Sequence, residues 1–212
     1  MKKLALLILI CMSAVNINAN SIEDEFINMP DSIIPYFNMS IRTNLVNNYK
    51  DKTNLATKNL LDGECLINKI ANDYIDMKLN KVTNLGLTQL MRNDSTKIFC
   101  LVRTYGNPAM ESNVTFYTSD WKIIKDNNFG LPDFSDSKKM TDMLTWCPDT
   151  MTAEKIRNIK KAIEPVMVIA KLSDAETINI CINCITLTKD EKEDLNSIKK
   201  QKSFKWNGNI FK

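Results

Sequence analysis

The stretch that decides the fold is KIFCLVRTYGNPAMESNVTFYTSDWKII, residues 97–124. Its first half contains residues 98–102, an unbroken apolar run that is typical of a strand covered on both faces. Its second half alternates polar residues with the apolar Val114 and Phe116, which is the pattern of a half-buried strand. Gly106-Asn107-Pro108 lies between them and interrupts the strand, because Pro lacks an N–H donor. The stretch therefore predicts a β-hairpin at the centre of the fold.

Further strands flank this hairpin in the middle third of the chain. Apolar and polar side chains alternate over residues 75–79, and the alternation continues over residues 85–91. Upstream, residues 55–61 and 65–70 are predicted to pair through a two-residue turn at Asp62-Gly63, a dipeptide that favours tight hairpins. The middle third is therefore predicted to be a meander of about five or six antiparallel strands.

Two helices are predicted before the meander. Ser21 begins the first one in a capping-box-like pattern, and Met29-Pro30 ends it. Ser40 is predicted to cap the second helix, which continues to about Tyr49. These helices carry short apolar faces, so we expect them to cover one side of the sheet.

The C-terminal third mixes helices and strands. Thr152 and Thr188 are each followed by helical patterns and are predicted to cap them. Alternation over residues 166–182 predicts a hairpin between these helices, and residues 204–208 predict a closing strand and turn. The predicted fold class is α+β: an antiparallel β-meander sheet with N-terminal helices and a C-terminal helix–hairpin–helix–strand unit. We expect the C-terminal strands to extend the meander sheet or to pack on it.

The first 19 residues have the composition of a signal peptide. Lys2 and Lys3 form a positive n-region, residues 4–15 form an apolar core, and Ile17-Asn18-Ala19 forms the exit. Such a core is too short for a resident membrane helix, which needs roughly 20 apolar residues. We expect cleavage after Ala19, and a mature chain of 212 − 19 = 193 residues with no transmembrane segment. Residues 20–212 are predicted to be a single α+β domain, with a possible sub-boundary in residues 125–150.

Composition excludes several classes of function. The chain contains no histidine, so a Ser-His-Asp triad, a Cys-His couple and a His-ligated metal are not available. It has five glycines, and none of them forms a nucleotide-binding loop. The net charge is +3, or +1 without Lys2 and Lys3, which gives no general attraction for nucleic acid. No cofactor, metal or nucleic-acid partner is predicted.

The cysteines predict packing rather than chemistry. Six are present, and removal of Cys11 with the signal peptide leaves five. Cys181 and Cys184 have redox spacing, but both are predicted to lie in a strand, where side chains three apart point to opposite faces. We therefore expect no disulfide between these two residues, and we expect the cysteines to be small buried or half-buried fillers.

Residues 125–150 are predicted to have little regular structure, and segments of this length are often functional. Asp126, Asn128 and Gly130 resemble a calcium loop but do not have its spacing, so no metal site is predicted. The candidate ligand-binding residues in and beside the segment are four aromatic residues and two carboxylates: Trp121, Phe129, Phe134, Trp146, Asp133 and Asp136. The aromatic residues form a platform for a glycan or peptide, or else cover a sheet face. The carboxylates form a hydrolytic pair, or else act as caps and turns.

A family resemblance extends over the whole mature chain. The segments that carry it are NMPDSIIPYF (28–37), RTYGNPAMESNVTFYTSDW (103–121), PVMVIAKLS (165–173) and KWNGNIF (205–211). In these segments the chain resembles a family of exported proteins of unknown function from Bacteroidales-type bacteria. The resemblance implies an α+β fold and a location in the periplasm or outside a Gram-negative cell. It implies no active-site residues.

Two functions from different classes follow. The first is a non-enzymatic envelope protein that binds or scaffolds a protein or glycan partner through a sheet face or through residues 125–150. The alternative is a His-free hydrolase that uses Asp133 and Asp136. Convergence of these carboxylates in a deep cleft favours the hydrolase, and exposed, separated carboxylates favour the binding protein.

Overall fold

The computed structural model describes residues 20–53, 55–184 and 187–212. The predicted signal peptide, residues 1–19, lies outside this part of the chain. A six-stranded antiparallel sheet forms the centre, and its spatial order is the order of the sequence. The strands are β1 (Thr57–Lys58), β2 (Glu64–Ala71), β3 (Tyr74–Asn80), β4 (Thr83–Met91), β5 (Lys97–Tyr105) and β6 (Glu111–Thr118). The predicted meander is confirmed.

The predicted central hairpin is strands β5 and β6. They pair antiparallel over their whole length, with Cys100 opposite Phe116 and Val102 opposite Val114. The connecting loop comprises residues 106–110. It is shorter than the predicted loop, residues 106–112, because β6 already begins at Glu111. The prediction of a hairpin is confirmed, with β5 largely buried and β6 only partly buried.

The first predicted hairpin differs from the structure. Strand β1 contains two residues instead of the predicted stretch 55–61, and residues 59–63 form a longer loop than an Asp-Gly turn. The side chain of Asn59 explains the difference, because its Oδ1 accepts hydrogen bonds from the backbone N–H groups of Leu61 and Gly63. Its Nδ2 donates to the carbonyl oxygen of Leu79 and fixes the loop on β3.

Two helices and a short 3-10 helix precede the sheet and cover one face of it. They are α1 (Ile22–Asn28), the 3-10 helix (Asp31–Ile33) and α2 (Met39–Lys50). Ser21 caps α1 as predicted, through a hydrogen bond from the backbone N–H of Asp24. The predicted cap Ser40 is wrong. Asn38 caps α2 by accepting a hydrogen bond from the N–H of Ile41, so the helix begins at Met39 and Ser40 lies inside it.

The C-terminal part forms a second sheet and three helices. The elements are α3 (Ser137–Leu144), α4 (Ala153–Ala162), β7 (Met167–Leu172), β8 (Thr177–Asn183), α5 (Lys189–Ile198) and β9 (Lys202–Lys205). Thr152 caps α4, and Thr188 forms a full capping box with Glu191, as the sequence predicts. The three strands form a separate antiparallel sheet, which packs on the large sheet and does not extend it.

Helix α3 corrects the expectation of little regular structure over residues 125–150. Its cap is Asp136, whose carboxylate accepts from the N–H of Lys139. Met140 and Leu144 lie on its buried face, fully shielded from solvent. The surrounding prolines, acids and turn residues mask this short helical period in the sequence.

The large sheet consequently has two buried faces with different covers. On the helix face, α1 and α2 pack on residues such as Met77, Leu87 and Phe99. On the sandwich face, the small sheet and α3–α5 pack on residues such as Cys100 and Phe116. No helix in the described part of the chain is long and apolar enough to span a membrane.

Candidate functional site

The structure does not bring the four predicted aromatic residues together. Trp121 lies on the helix face, where its ring stacks on Phe99 with centroids 4.2 Å apart. Phe129 lies on the sandwich face, is 4% exposed and contacts Phe116 at a centroid distance of 4.7 Å. These two rings are parts of opposite cores.

The other two predicted aromatic residues are more accessible but lie in different places. Phe134 is half-buried against the sandwich-face core. Trp146 is 49% exposed in the connection between α3 and α4, where its backbone N–H donates to the carbonyl of Ile198. Phe134 lines a cavity next to the central sheet.

The two predicted carboxylates each stabilise a local turn. Asp133 accepts hydrogen bonds from the N–H and the hydroxyl of Ser135, at 2.9 and 2.7 Å. These bonds hold the pKa of the exposed Asp133 below its usual range. Asp136 caps α3 through Lys139. A general acid needs a raised pKa, so the environment of Asp133 acts in the opposite direction.

Asp133 and Phe134 do line a groove, which we call the edge groove. It has a volume of about 300 Å³ and lies between residues 111–116 of β6 and residues 128–135. One wall contains Glu111, Ser112, Asn113, Val114 and Phe116, and the other contains Asn128, Leu131, Pro132, Asp133, Phe134 and Ser135. The edge groove is the candidate functional site.

Strand β6 is an edge strand of the large sheet, and its residues 111–114 and 116 line one wall of this groove. The N–H of Ile124 donates to the carbonyl of Phe116, and the N–H of Thr118 donates to the carbonyl of Lys122, each at 2.9 Å. The backbone groups of Phe116 and Thr118 therefore point away from β5. Because this direction alternates along a strand, the N–H and C=O groups of Ser112 and Val114 point the same way.

The outer edge of β6 is thus only half covered. Residues 122–124 lie beside its C-terminal half, where Tyr117 and Ile123 form a bridge. In the part of the chain that the structure describes, no strand pairs with residues 111–115 on that side. An uncovered edge presents backbone donors and acceptors in a fixed row.

The course of the chain after β6 explains why the groove is open. After residue 124 the chain leaves the edge, and Phe129 inserts into the sandwich-face core. The N–H of Phe211 donates to the carbonyl of Phe129 at 2.7 Å, which fixes the position of Phe129 in that core. Gly130 follows with φ +81, and a Cβ atom there would lie 2.4 Å from the carbonyl oxygen of Phe211. Glycine is therefore required at this position for the wall of residues 128–135 to form.

The side chain of Ser112 fixes the other wall, which is formed by β6. Its hydroxyl accepts from the N–H of Ala170 at 2.9 Å and donates to the carbonyl of Ala170 at 3.2 Å. The hydroxyl of Thr104 lies 2.7 Å from that of Ser112. The Ser112 side chain is thus engaged with β7, which leaves its outward backbone groups facing the groove.

The sequence missed the residues of this wall. Residues 111–114 match a strand pattern, but the pattern does not reveal whether a neighbouring strand covers them. The only sequence signal is the long irregular stretch that follows, which contains Gly130 and Pro132.

The cysteines have different environments. Cys65 and Cys100 are buried, Cys181 and Cys184 are half-buried, and Cys147 is exposed, so the expectation of fillers is wrong for Cys147. Burial raises the pKa of the Cys65 thiol to about 11 and raises that of Cys100 further, which disfavours the reactive thiolate. Cys181 lies in β8 as predicted, whereas Cys184 lies one residue beyond the end of that strand at Asn183. The described residues contain no cluster of acidic or cysteine side chains that could hold a metal ion.

Comparisons with known proteins place the chain in a family. A family model described as "Protein of unknown function (DUF3256)" matches residues 14–211. No curated protein has a significantly similar sequence. A solved domain of an uncharacterized protein from Porphyromonas gingivalis W83 is 20% identical, with a TM-score of 0.67 over 90% of this chain and 96% of that one. This similarity shows the fold alone. The family match confirms the resemblance to an uncharacterised family, and the chain belongs to the DUF3256 family of proteins of unknown function.

Proposed function

We propose that this protein is an exported, non-enzymatic binding protein of a Bacteroidales cell envelope, and that the edge groove binds a protein partner. The observation that carries the proposal is the half-covered edge of β6 inside a groove, next to residues 111–115. Outward backbone N–H and C=O groups in a row match the backbone of another polypeptide more closely than the hydroxyls of a glycan. A protein is therefore the preferred partner.

Export rests on the sequence features of residues 1–19, with their two lysines and short apolar core. The similar fold in a protein from Porphyromonas gingivalis supports a Bacteroidales origin. The cell envelope is the compartment that both observations favour.

The hydrolase alternative gains no support from the geometry. Asp133 and Asp136 each accept hydrogen bonds from residues of their own turn, and both side chains are exposed. Asp133 does not have the desolvated environment that raises the pKa of a catalytic acid, and Asp136 is an exposed helix cap. We therefore propose a single function.

Site-specific photo-crosslinking in cells tests the binding function. A photoreactive residue replaces Asn113, which is exposed at the groove, and in a matched control it replaces Glu193, which is exposed on α5. We expect one discrete crosslinked protein from position 113, none from position 193, and recovery of the chain in the envelope fraction. The same crosslinks from both positions, or recovery of an uncleaved chain from the cytoplasm, would contradict the proposal.

A further inference from the structure

We propose that the partner segment binds as an extended β-strand added to the free edge of β6, with apolar side chains towards Phe134 and basic side chains on the opposite face. This inference rests on the proposed function, and it specifies the chemistry of the partner. Strand addition uses backbone hydrogen bonds for affinity and alternate side chains for specificity.

The protein itself shows that this edge accepts a strand. Residues 122–124 already run antiparallel to the C-terminal half of β6, with the two hydrogen bonds of Phe116 and Thr118. The next outward positions are Val114 and Ser112. A second segment in the groove would continue the same row of hydrogen bonds at the point where residues 125–128 depart.

The free part of the edge is short. Residues 112–114 extend over about 10 Å of strand and present the outward N–H and C=O groups of two residues. The edge therefore suits a short segment, in which specificity depends on the side chains as well as the backbone.

The wall formed by residues 128–135 selects the kind of occupant. It stands beside the edge and leaves a groove of about 300 Å³. The edge of a second copy would bring its own wall of residues 128–135 into the same space, so a partner segment is favoured over self-association.

The side chains along the groove define which residues the segment carries. Val114 packs on the sandwich-face core, as Phe134 does, so an apolar residue is favoured on that side. Glu111 has the opposite parity to Val114 and therefore lies on the other face of β6. The structure shows no ion pair for Glu111 or Asp133 within the described residues, although Lys139 lies near Asp133. A basic residue on the face of Glu111 complements that carboxylate, and Asp133 adds a second negative charge to the groove.

Backbone N-methylation tests the binding mode directly. The probe is a short acetylated peptide that alternates lysine and valine, and it binds the full mature chain. Two further peptides carry N-methyl groups on all lysines or on all valines. In a strand these two sets of N–H groups point to opposite edges, so only one set faces β6.

We expect the unmodified peptide to bind and to slow amide exchange at Val114 and Ser112. One N-methylated peptide should bind like the parent. The other should lose affinity by roughly tenfold or more, because its N–H groups can no longer donate to the carbonyls of Ser112 and Val114. A peptide that alternates glutamate and valine should bind more weakly than the lysine peptide. Equal behaviour of the two N-methylated peptides, or no protection at Val114, would overturn strand addition. A specific crosslink at position 113 together with that result would leave the binding function intact.

Discussion

The two faces of the central sheet are built in different ways. On the helix face, one buried cation satisfies the backbone: Arg42, 1% exposed, donates to the carbonyl oxygens of Ile27, Met29 and Phe37. Its guanidinium also contacts the exposed carboxylate of Asp31 at 2.9 Å. Arg42 alone thus bonds three carbonyls of this region, whereas Arg103 and the N–H of Leu60 each bond one more, those of Ile33 and Tyr36.

On the sandwich face, several hydroxyl groups form the hydrogen bonds to backbone groups of the packed segment. Tyr74 donates to the carbonyl of Leu172, Thr88 donates to that of Ala175, and Ser112 bonds both backbone groups of Ala170. Each hydroxyl satisfies one or two groups along β7 and its turn. The small sheet is thus attached at many points, each of modest energy, and removal of one point should have a smaller effect than removal of Arg42.

The largest effect is expected for Arg42→Met. The change keeps much of the side-chain volume but leaves three carbonyls without a donor, and each buried unsatisfied group costs roughly 1–3 kcal/mol. We expect a loss of about 3 kcal/mol or more in the free energy of unfolding. Urea denaturation of the variant, compared with the exposed control Arg157→Met, measures it. Equal midpoints for the two variants would show that the helix face does not depend on this cation.

A loss of similar size is expected for Phe116→Ala on the sandwich face. The ring is 3% exposed and contacts Phe129 and Phe211. Its removal leaves a cavity, at a typical cost of about 3–5 kcal/mol. The neighbouring Thr115→Ala, at a half-exposed position, is the control in thermal melts. If Phe116→Ala melts like the parent, the central hairpin does not organise the fold.

A smaller loss is expected for Ser112→Ala. The N–H of Ala170 loses its partner, and its carbonyl keeps only the hydroxyl of Thr104 at 3.4 Å. Water can partly replace the lost hydroxyl, so we expect a cost of about 1–3 kcal/mol. Amide exchange at Ala170 should become faster, while that of the helix face should not change. Ser203→Ala, at an exposed serine of β9, is the matched control. Unchanged exchange at Ala170 would mean that the hydroxyls do not attach the small sheet.

The smallest effect on stability is expected for Asp133→Asn, because the carboxylate is exposed and stabilises only its own turn. The lowered pKa of Asp133 means that its contribution is present above the usual aspartate pKa and is lost as the pH falls through the folded-state value. Parent and variant should therefore melt alike at neutral pH to within a small difference, and alike in acid. Affinity for the lysine–valine peptide should decrease. A large drop in the melting midpoint would make this turn a structural centre.

Local patterns in the sequence predicted the elements wherever the signal lies within a few residues. Alternation located β3, β4 and β6, the unbroken apolar run located β5, and Thr152 and Thr188 marked two helix starts correctly. Ser40 was wrong because Asn38, an equally good capping residue, stands two positions earlier. Helix α3 was missed because eight residues contain too few turns for a clear period among turn-forming neighbours.

The candidate site was predicted only in part. Asp133 and Phe134 line the edge groove, whereas Trp121 and Phe129 lie in opposite cores and Asp136 caps a helix. Side-chain type alone does not distinguish a ring that binds a ligand from one that fills a core, because both uses favour aromatic residues.

The sequence by itself determined the meander, most helix caps and the α+β class, because these depend on neighbours a few residues apart. Only the tertiary structure decided that the C-terminal strands form a second sheet and that half of one edge stays open. Those outcomes depend on contacts such as Ser112 with Ala170, 58 residues apart, and the indole of Trp206 with the carbonyl of Met91, 115 residues apart. A hydroxyl or indole N–H can satisfy any suitably placed backbone group, so its partner is fixed only when packing brings the two segments together.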